Sequence, residues 1–179
     1  MRNTSVMIAS VAAVMIAPSI ATADDDWAGV YAGIHFGAAD GDLSSGSAKL
    51  SDHSAVYGLQ LGYNYSLANN WIVGSELSYS TAEFSAFGPS KDMDTTRLKL
   101  KAGYAVGAAV FYGVLGYSHI DLDGKNESGV TYGLGVGYKA TESIILNAEL
   151  LRDSFDFESS GADVDVDVTT LLLGVSYQF

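Results

Sequence analysis

Hydrophobic and polar residues alternate with a period of two along most of the chain. In the last segment one parity is apolar and ends in Tyr177 and Phe179, whereas the other, which includes Gly174 and Ser176, is mostly small or polar. This period predicts a β-strand with one apolar face. A chain built wholly from such strands has no second layer to cover those faces, so we expect lipid to cover them.

Eight segments carry the pattern, and no helical period separates them. They lie at 27–39, 55–67, 71–84, 95–106, 109–122, 129–140, 143–157 and 164–179. Short connections alternate with longer ones that are rich in Gly, Ser and Asp. The short ones are 67–70, 106–109 and 140–143, and the longer ones are 40–54, 85–94, 123–128 and 158–163. The sequence therefore predicts an all-β fold, an eight-stranded antiparallel up-and-down transmembrane β-barrel with periplasmic short turns and termini.

The apolar parity defines the expected lipid face in most strands. Aromatic residues gather near the short connections, and they predict a periplasmic girdle. They are Trp27, Tyr63, Tyr65, Trp71, Tyr104, Tyr138, Tyr177 and Phe179. For two strands the sequence does not decide which face points outward. In the fifth strand the residues that alternate with Val114 and those that alternate with Leu115 are both apolar. In the seventh, Leu151 and Arg152 break the pattern, which a bulge or contact of Arg152 with lipid headgroups would explain.

The N-terminus has the features of a secretory signal peptide. Arg2 is followed by an apolar run and by the small residues Ala21 and Ala23. We expect cleavage after Ala23, which makes 1–23 the signal peptide and 24–179 the barrel domain. Losing one of 9 bases and none of 21 acids would leave a formal net charge of −13. That charge argues against nucleic-acid binding, and no cofactor motif is present.

Charges of both signs share the inward parity with several glycines. The expected interior network consists of Glu76, Arg97, Lys99, Lys101, Lys139 and Glu149. In a narrow bore such charges stay ionised only if they are paired or hydrated. Eight-stranded barrels are usually filled by their own side chains, so a polar plug is the first interpretation. A path for small ions or solutes is the alternative.

Acidic residues concentrate where the longer connections lie. The richest group is in the last strand pair, and its candidate ligands for a divalent cation are Asp153, Asp156, Asp163, Asp165 and Asp167. Carboxylate oxygens suit Ca²⁺ or Mg²⁺, and such ions would also bridge to lipopolysaccharide phosphates. The spacing does not match a dedicated calcium loop, so we predict no metal site and interpret the acids as a solvated, self-repelling rim.

The histidines are the residues to consider for catalysis. His35 falls on the inward parity, His53 lies in the first long connection, and His119 follows Ser118 near the end of the fifth strand. Nucleophilic catalysis needs a serine, a base and an orienting carboxylate that converge in space. Neighbours on a strand point to opposite faces, so Ser118 and His119 do not pair simply. We therefore predict that the protein is not an enzyme.

These features resemble the small eight-stranded outer-membrane proteins of Gram-negative bacteria, the opacity-like and OmpA/OmpX-like β-barrel superfamily. The segments that carry the resemblance are 27–33, 70–76, 97–104, 148–149 and 177–179. The resemblance implies an inward Glu/Arg/Lys network, which Glu76, Arg97 and Glu149 match. It also implies that the barrel-assembly machinery recognises the terminal motif, here Tyr177 and Phe179.

The family includes adhesins, membrane-integrity proteins and weak pores, so the family alone does not assign a function. We expect a monomeric structural or surface-interaction barrel with a plugged core, which contacts outer-membrane lipids and lipopolysaccharide. The alternative is a small, porin-like channel, and a third hypothesis is a lipid-modifying outer-membrane enzyme.

The terminal motif leads to a first prediction. Deleting Phe179 should impair outer-membrane assembly far more than trimming an acidic connection, because the terminal aromatic residue is the expected assembly signal. Heat-modifiable electrophoretic mobility of outer-membrane fractions measures the assembled barrel. Normal barrel formation by the deletion variant would contradict the role of Phe179.

Overall fold

The chain folds as a single closed barrel. A computed structural model describes residues 27–45, 48–84, 91–122, 125–159 and 162–179, so the expected signal peptide lies outside the described residues. The strands are β1 (Gly29–Ser45), β2 (Ala48–Ser66), β3 (Trp71–Phe84), β4 (Lys91–Val106), β5 (Ala109–Leu122), β6 (Lys125–Lys139), β7 (Ile144–Ser159) and β8 (Ala162–Gln178). Each pairs antiparallel with the next, and β8 pairs with β1 to close the barrel. The eight-stranded up-and-down fold is therefore confirmed. The described residues include no helix long and apolar enough to cross a membrane.

The two ends of the barrel differ. One, the turn end, carries Trp27, Phe179 and the connections 67–70, 107–108 and 140–143. The other, the hairpin end, carries strands that run well beyond the predicted limits: the β1–β2 ladder continues until Ser45 pairs with Ala48. The predicted long connection 40–54 is therefore wrong. Its Gly, Ser and Asp residues are common in loops, but an unbroken register from the barrel wall keeps them in strands.

The barrel wall separates an apolar outside from a filled inside. Among the residues that the structure describes, thirty large hydrophobic side chains are exposed, far more than the surface of a water-soluble domain carries. The structure also decides which face of β5 points outward, which the sequence did not. Leu115 is 61% exposed and Val114 only 5%, so Phe111, Leu115 and Tyr117 face outward and Val110 and Val114 line the bore.

The irregular pair in β7 follows the ordinary alternation. Leu151 is completely buried inside the barrel, and Arg152 faces outward. The pairing of β7 with β6 and with β8 is continuous through both residues, so the bulge considered from the sequence is absent. Arg152 instead donates to Asp167, with Nη2 2.6 Å from Oδ2.

Aromatic residues form two outward girdles. Near the turn end the exposed members are those predicted from the sequence, without Trp27, which is 5% exposed, and with Phe111, which was not predicted and pairs with Tyr104. Trp27 packs inside the barrel with Ile72, Val110 and Ile145, and it closes the bore there. Its place in the girdle is a wrong prediction: Trp27 shares the inward parity of Tyr31 and His35, so the alternation of β1 already directs it into the bore. A second girdle, missed in the sequence, consists of Phe36, Tyr57, Tyr79, Tyr117 and Tyr132.

Glycines in the wall make room for large inward side chains. A Cβ at Gly62 would collide with the ring of Tyr31 on β1, and one at Gly135 would collide with the ring of Tyr112 on β5. Both rings therefore lie flat across a neighbouring strand. This close approach explains why glycines share the inward parity with long charged residues.

The exposed belt gives a second prediction. Leu115→Arg should lower the free energy of unfolding in lipid vesicles by about 2–4 kcal/mol, because it places a charge in hydrocarbon. The matched variant Val106→Arg lies beside the 107–108 turn and should cost about 0–1 kcal/mol, since the penalty falls towards the membrane surface. Denaturant titration followed by tryptophan fluorescence measures both. Equal small effects would mean that Leu115 faces water.

Candidate functional site in the barrel interior

Four charged residues form a closed cycle of ion pairs across the bore. Glu76 on β3 and Glu149 on β7 stand on opposite sides, and Lys99 and Lys101 on β4 lie between them. Lys99 Nζ is 2.5 Å from Glu76 Oε1 and 2.6 Å from Glu149 Oε2. Lys101 Nζ is 2.6 Å from Glu76 Oε2 and 2.6 Å from Glu149 Oε1. The cycle is neutral, and each carboxylate oxygen has a cationic partner.

Two tyrosines complete the surroundings of the cycle. Tyr31 donates from its hydroxyl to Glu76 Oε2 at 2.7 Å, and Tyr112 donates to Glu149 Oε1 at 2.9 Å. The Lys101 ammonium also lies 4.9 Å from the Tyr112 ring centroid, within range of a cation–π interaction. Carboxylates taken out of water need such additional donors, because ion pairing alone does not offset desolvation.

A second layer lies towards the hairpin end. Arg97 on β4 pairs with Asp153 on β7, with Nη2 2.7 Å from Oδ2, and both are almost fully buried. Thr131 donates to Asp153 Oδ1 at 2.5 Å. Ser80 is 3.4 Å from Arg97 Nη1 and 2.9 Å from His35 Nε2. The layer therefore crosslinks five strands through polar contacts.

The interior residues predicted from the sequence do not form a single network. Glu76, Lys99, Lys101 and Glu149 make the cycle, whereas Arg97 belongs to the second layer. Lys139 lies at the turn end, where its Nζ is 5.7 Å from the Trp27 ring centroid. The prediction did not include Tyr31, Tyr112 or Asp153 in the network. The inward parity of Tyr31 and Asp153 was a usable signal for them.

The five candidate cation ligands do not converge as a set. Asp153 points into the bore and pairs with Arg97, whereas Asp167 accepts from Ser154 and Arg152 outside it. Asp156 is opposite Asp165 in the β7–β8 register, but the side chains of Asp156, Asp163 and Asp165 lie outside the described residues. No group of three metal-ligating side chains occurs in the described part of the chain.

The histidines are in separate places. His35 is 2% exposed and lies inside the barrel. His119 faces outward and its Nδ1 is 3.2 Å from Ser128 Oγ, whereas Ser118 is completely buried on the opposite face. Ser118 and His119 therefore point apart, as the strand alternation predicts. The side chain of His53 lies outside the described residues.

The space left beside the cycle and the second layer is small. A cavity of about 40 Å³ lies between the cycle and the Trp27 layer, and its lining includes Tyr31, Glu76, Lys101 and Tyr112. A second space of about 10 Å³ lies beside Arg97. One water needs roughly 10–15 Å³, so these spaces suit individual waters. Towards the hairpin end the apolar residues Ala39, Val56, Ala82, Leu151 and Leu172 close the bore further.

The whole arrangement, a closed eight-stranded barrel with an apolar outside and a charged inside, matches a known family. The family described as "Outer membrane protein beta-barrel domain" matches residues 9–179. The chain belongs to this family. Membership makes it a protein of the bacterial outer membrane and confirms the resemblance drawn from the sequence.

Several solved structures have the same fold. The Ail protein of Yersinia pestis, in complex with the heparin analogue sucrose octasulfate, is 22% identical with a TM-score of 0.52, over 84% of this chain and 99% of Ail. Neisserial surface protein A is 18% identical with a TM-score of 0.53, over 84% and 97% of the two chains. The outer-membrane enzyme PagL is 10% identical with a TM-score of 0.52, over 78% and 97%. No curated protein matches the chain. At these identities the likeness establishes the fold alone.

The ion-pair cycle gives a third prediction. Lys99→Met should lower the free energy of unfolding by about 3–5 kcal/mol, because it leaves two buried carboxylates with one ammonium. Adding Glu149→Gln to this variant should recover part of the loss, since the cycle regains equal numbers of charges. Denaturant unfolding of the barrel in vesicles measures each step.

The matched control is Arg152→Met, which removes an ion pair on the exposed outer surface. It should cost about 0–1 kcal/mol, as exposed pairs usually do. An additive double variant, in which Glu149→Gln gives no recovery, would show that the four charges do not act as one cycle.

Proposed function

We propose that this protein is a structural and surface-interaction barrel of the outer membrane whose bore is closed to solutes. The observation that carries the proposal is the ion-pair cycle. Lys99, Glu76 and Glu149 each have a relative exposure below 2%, so the cycle fills the cross-section of the bore at its own level. A hydrated ion needs more room than the spaces on either side provide.

The proposal also assigns an orientation. Residues 1–23 direct export, the turn end faces the periplasm and the hairpin end faces outward. Short turns and both termini lie on the periplasmic side in barrels of this kind. Here Trp27 and Phe179 lie at the end with the short turns, and Tyr177 and Phe179 stack edge to face with centroids 5.1 Å apart. The assembly role of this pair remains a prediction.

The outer surface supports a role in membrane contact. Arg152 is opposite Tyr132 in the β6–β7 register, at the level of the second aromatic girdle. It is the one Lys or Arg side chain that faces outward among those the structure describes. We assign it to anionic headgroups of the outer leaflet, including lipopolysaccharide phosphates, because its guanidinium can reach them while Tyr132 anchors the same level.

Two alternatives from the sequence have less support. A channel would require the cycle to open. An enzyme would require a nucleophile and base that converge with an acid, and the likeness to PagL concerns only the fold. The Ail complex contains a sulfated ligand, and nothing in that likeness transfers the ligand to this chain.

Recording in planar bilayers tests the closed bore and is the fourth prediction. The purified protein should give no steady, discrete conductance steps. Changing Glu76, Lys99, Lys101 and Glu149 to Ala should by itself produce no such steps, because Trp27 still closes the turn end and Leu151 and Leu172 still close the hairpin end. Heat-modifiable mobility must first show that the variant is folded. Discrete steps from the unmodified protein would overturn the proposal.

A further inference from the structure

A larger cavity lies outside the closed bore, at the turn end. Its volume is about 440 Å³, against about 40 Å³ for the space beside the ion-pair cycle. Residues 66–72 line one side of it, and Ala105 and Gly107 at the β4–β5 turn line another. Trp27 and Ile72 line both cavities, so they form the partition between the bore and this outer space, which we call the turn-end cavity. Its volume falls within the ~300–1,000 Å³ of small-molecule sites.

The turn between β2 and β3, which borders this cavity, has a left-handed backbone. Leu67 N donates to Trp71 O at 2.7 Å and closes the turn over Ala68–Asn70. Asn69 and Asn70 both have positive φ angles, 62° and 63°. Glycine adopts this region without strain, and asparagine is one of the few other residues enriched there. Two asparagines therefore satisfy the backbone and also place two carboxamides at the cavity, where two glycines would place none.

The polar side chains of the lining are not used by the barrel itself. Those of Ser66, Asn69 and Asn70 make no hydrogen bond within the described part of the chain. Each carboxamide carries two N–H donors and a carbonyl acceptor, and the hydroxyl both donates and accepts. Both asparagines are exposed, so water satisfies these groups when the cavity is empty. A ligand with matching donors and acceptors can replace that water.

The lining selects an uncharged ligand. Among the described residues it contains no charged side chain, although the chain has 21 acids and 9 bases. An ion taken from water into this cavity would find no opposite charge there. A wholly apolar ligand would displace water from the carboxamides without replacing its hydrogen bonds. Leu67 and Trp71, both about half exposed, add apolar surface. A saccharide matches this lining, because it has hydrogen-bonding groups and apolar C–H surface but no charge.

We propose that the turn-end cavity binds an uncharged saccharide that carries acetamido groups. Asn69 and Asn70 pair with the acetamido groups, since one amide can both donate to and accept from another. Ser66 pairs with a sugar hydroxyl, and the indole of Trp71 provides apolar surface for the C–H groups of a sugar ring. The inference goes beyond the proposed function, and only the position of the cavity in the periplasm rests on the proposed orientation.

The probe is tri-N-acetylchitotriose, and the target is the protein purified from outer membranes in a detergent without a sugar headgroup. The chain has two tryptophans, Trp27 and Trp71, and both line the cavity, so intrinsic fluorescence reports its occupancy. The emission should change saturably as the trisaccharide is added. The same trimer without its acetyl groups is cationic. It should bind at least ~10-fold more weakly at about 0.5 M salt, where its attraction to the acidic barrel is screened. Equal binding of the two trimers would overturn the proposal.

Asn69→Gly combined with Asn70→Gly tests the carboxamides, because glycine keeps the left-handed turn and removes both side chains. This variant should bind the trisaccharide at least ~10-fold more weakly, since the hydrogen bonds of both amides are lost. The matched control is Glu142→Gln in another connection of the turn end, and it should bind like the unmodified protein. Heat-modifiable mobility shows that each variant is folded. Undiminished binding by the folded double variant would refute the site.

A cysteine provides a second measurement that does not depend on fluorescence. The chain has no cysteine, and Ala68 is exposed and lines the cavity. Ala68→Cys should react with a maleimide several-fold more slowly when the trisaccharide is present. Ser143→Cys, which lies outside the cavity, should react equally fast with and without it. An unchanged rate at Ala68→Cys together with unchanged tryptophan emission would overturn saccharide binding.

The two proposals fail in different ways. Detergent leaves both ends of the barrel accessible, so the binding experiments do not depend on the orientation. Absent binding together with a non-conducting bore overturns the saccharide site alone. Binding together with steady conductance steps overturns the closed bore alone. In intact cells an impermeant maleimide should label Ala68→Cys only after the outer membrane is permeabilised, and earlier labelling would overturn the proposed orientation.

Discussion

Hydrocarbon offers no hydrogen-bond partner to a peptide group, and this constraint determines the rest of the structure. Within a bilayer every strand must pair on both sides, so the sheet has to close on itself. Eight strands close around a bore that side chains must fill, since a vacuum costs packing energy and water needs polar partners. The pairing of β8 with β1 thus satisfies the backbone hydrogen bonds. It also encloses a bore, which the buried charged side chains fill.

The interior charges are arranged to cost as little as possible. Two carboxylates and two ammonium groups alternate around the cycle, so each charge has two opposite neighbours at 2.5–2.6 Å. Tyr31 and Tyr112 add donors where the carboxylates have remaining capacity, and Gly62 and Gly135 give those rings room. Buried ion pairs are usually poor sources of stability compared with apolar packing. Their value here is geometric, because the cycle joins β3, β4 and β7 across the bore and so specifies one packing of the interior.

The alternation of inward and outward residues predicted much of this arrangement from the sequence. What it could not predict has physical reasons. It identified the strands, the outward stripes and the inward direction of Glu76, Lys99 and Glu149. It did not predict partners, because the register between distant strands such as β4 and β7 depends on the closure of the whole barrel. It did not decide the outward face of β5, because the bore contains apolar as well as polar layers and both faces of that strand are therefore hydrophobic. The wrong position of Trp27 came from its place near the barrel end and not from parity, since Trp27 shares the inward parity of Tyr31 and closes the turn end from inside.

Aspartates play two roles in this barrel. The role depends on whether the side chain points inward or outward and on its position along the barrel axis. Asp153 and Asp167 lie near one another in the β7–β8 ladder, yet Asp153 neutralises a buried guanidinium and Asp167 lies outside the bore. Inside the bore, each described carboxylate in the cycle and the second layer has a cation beside it. Beyond the rim no bilayer encloses the strands, and segments 40–54 and 156–167 together contain eight acidic residues and one lysine. Water can solvate that excess charge, whereas the bore could not. The height of a carboxylate along the barrel therefore decides whether it needs a cationic partner for the barrel to be stable.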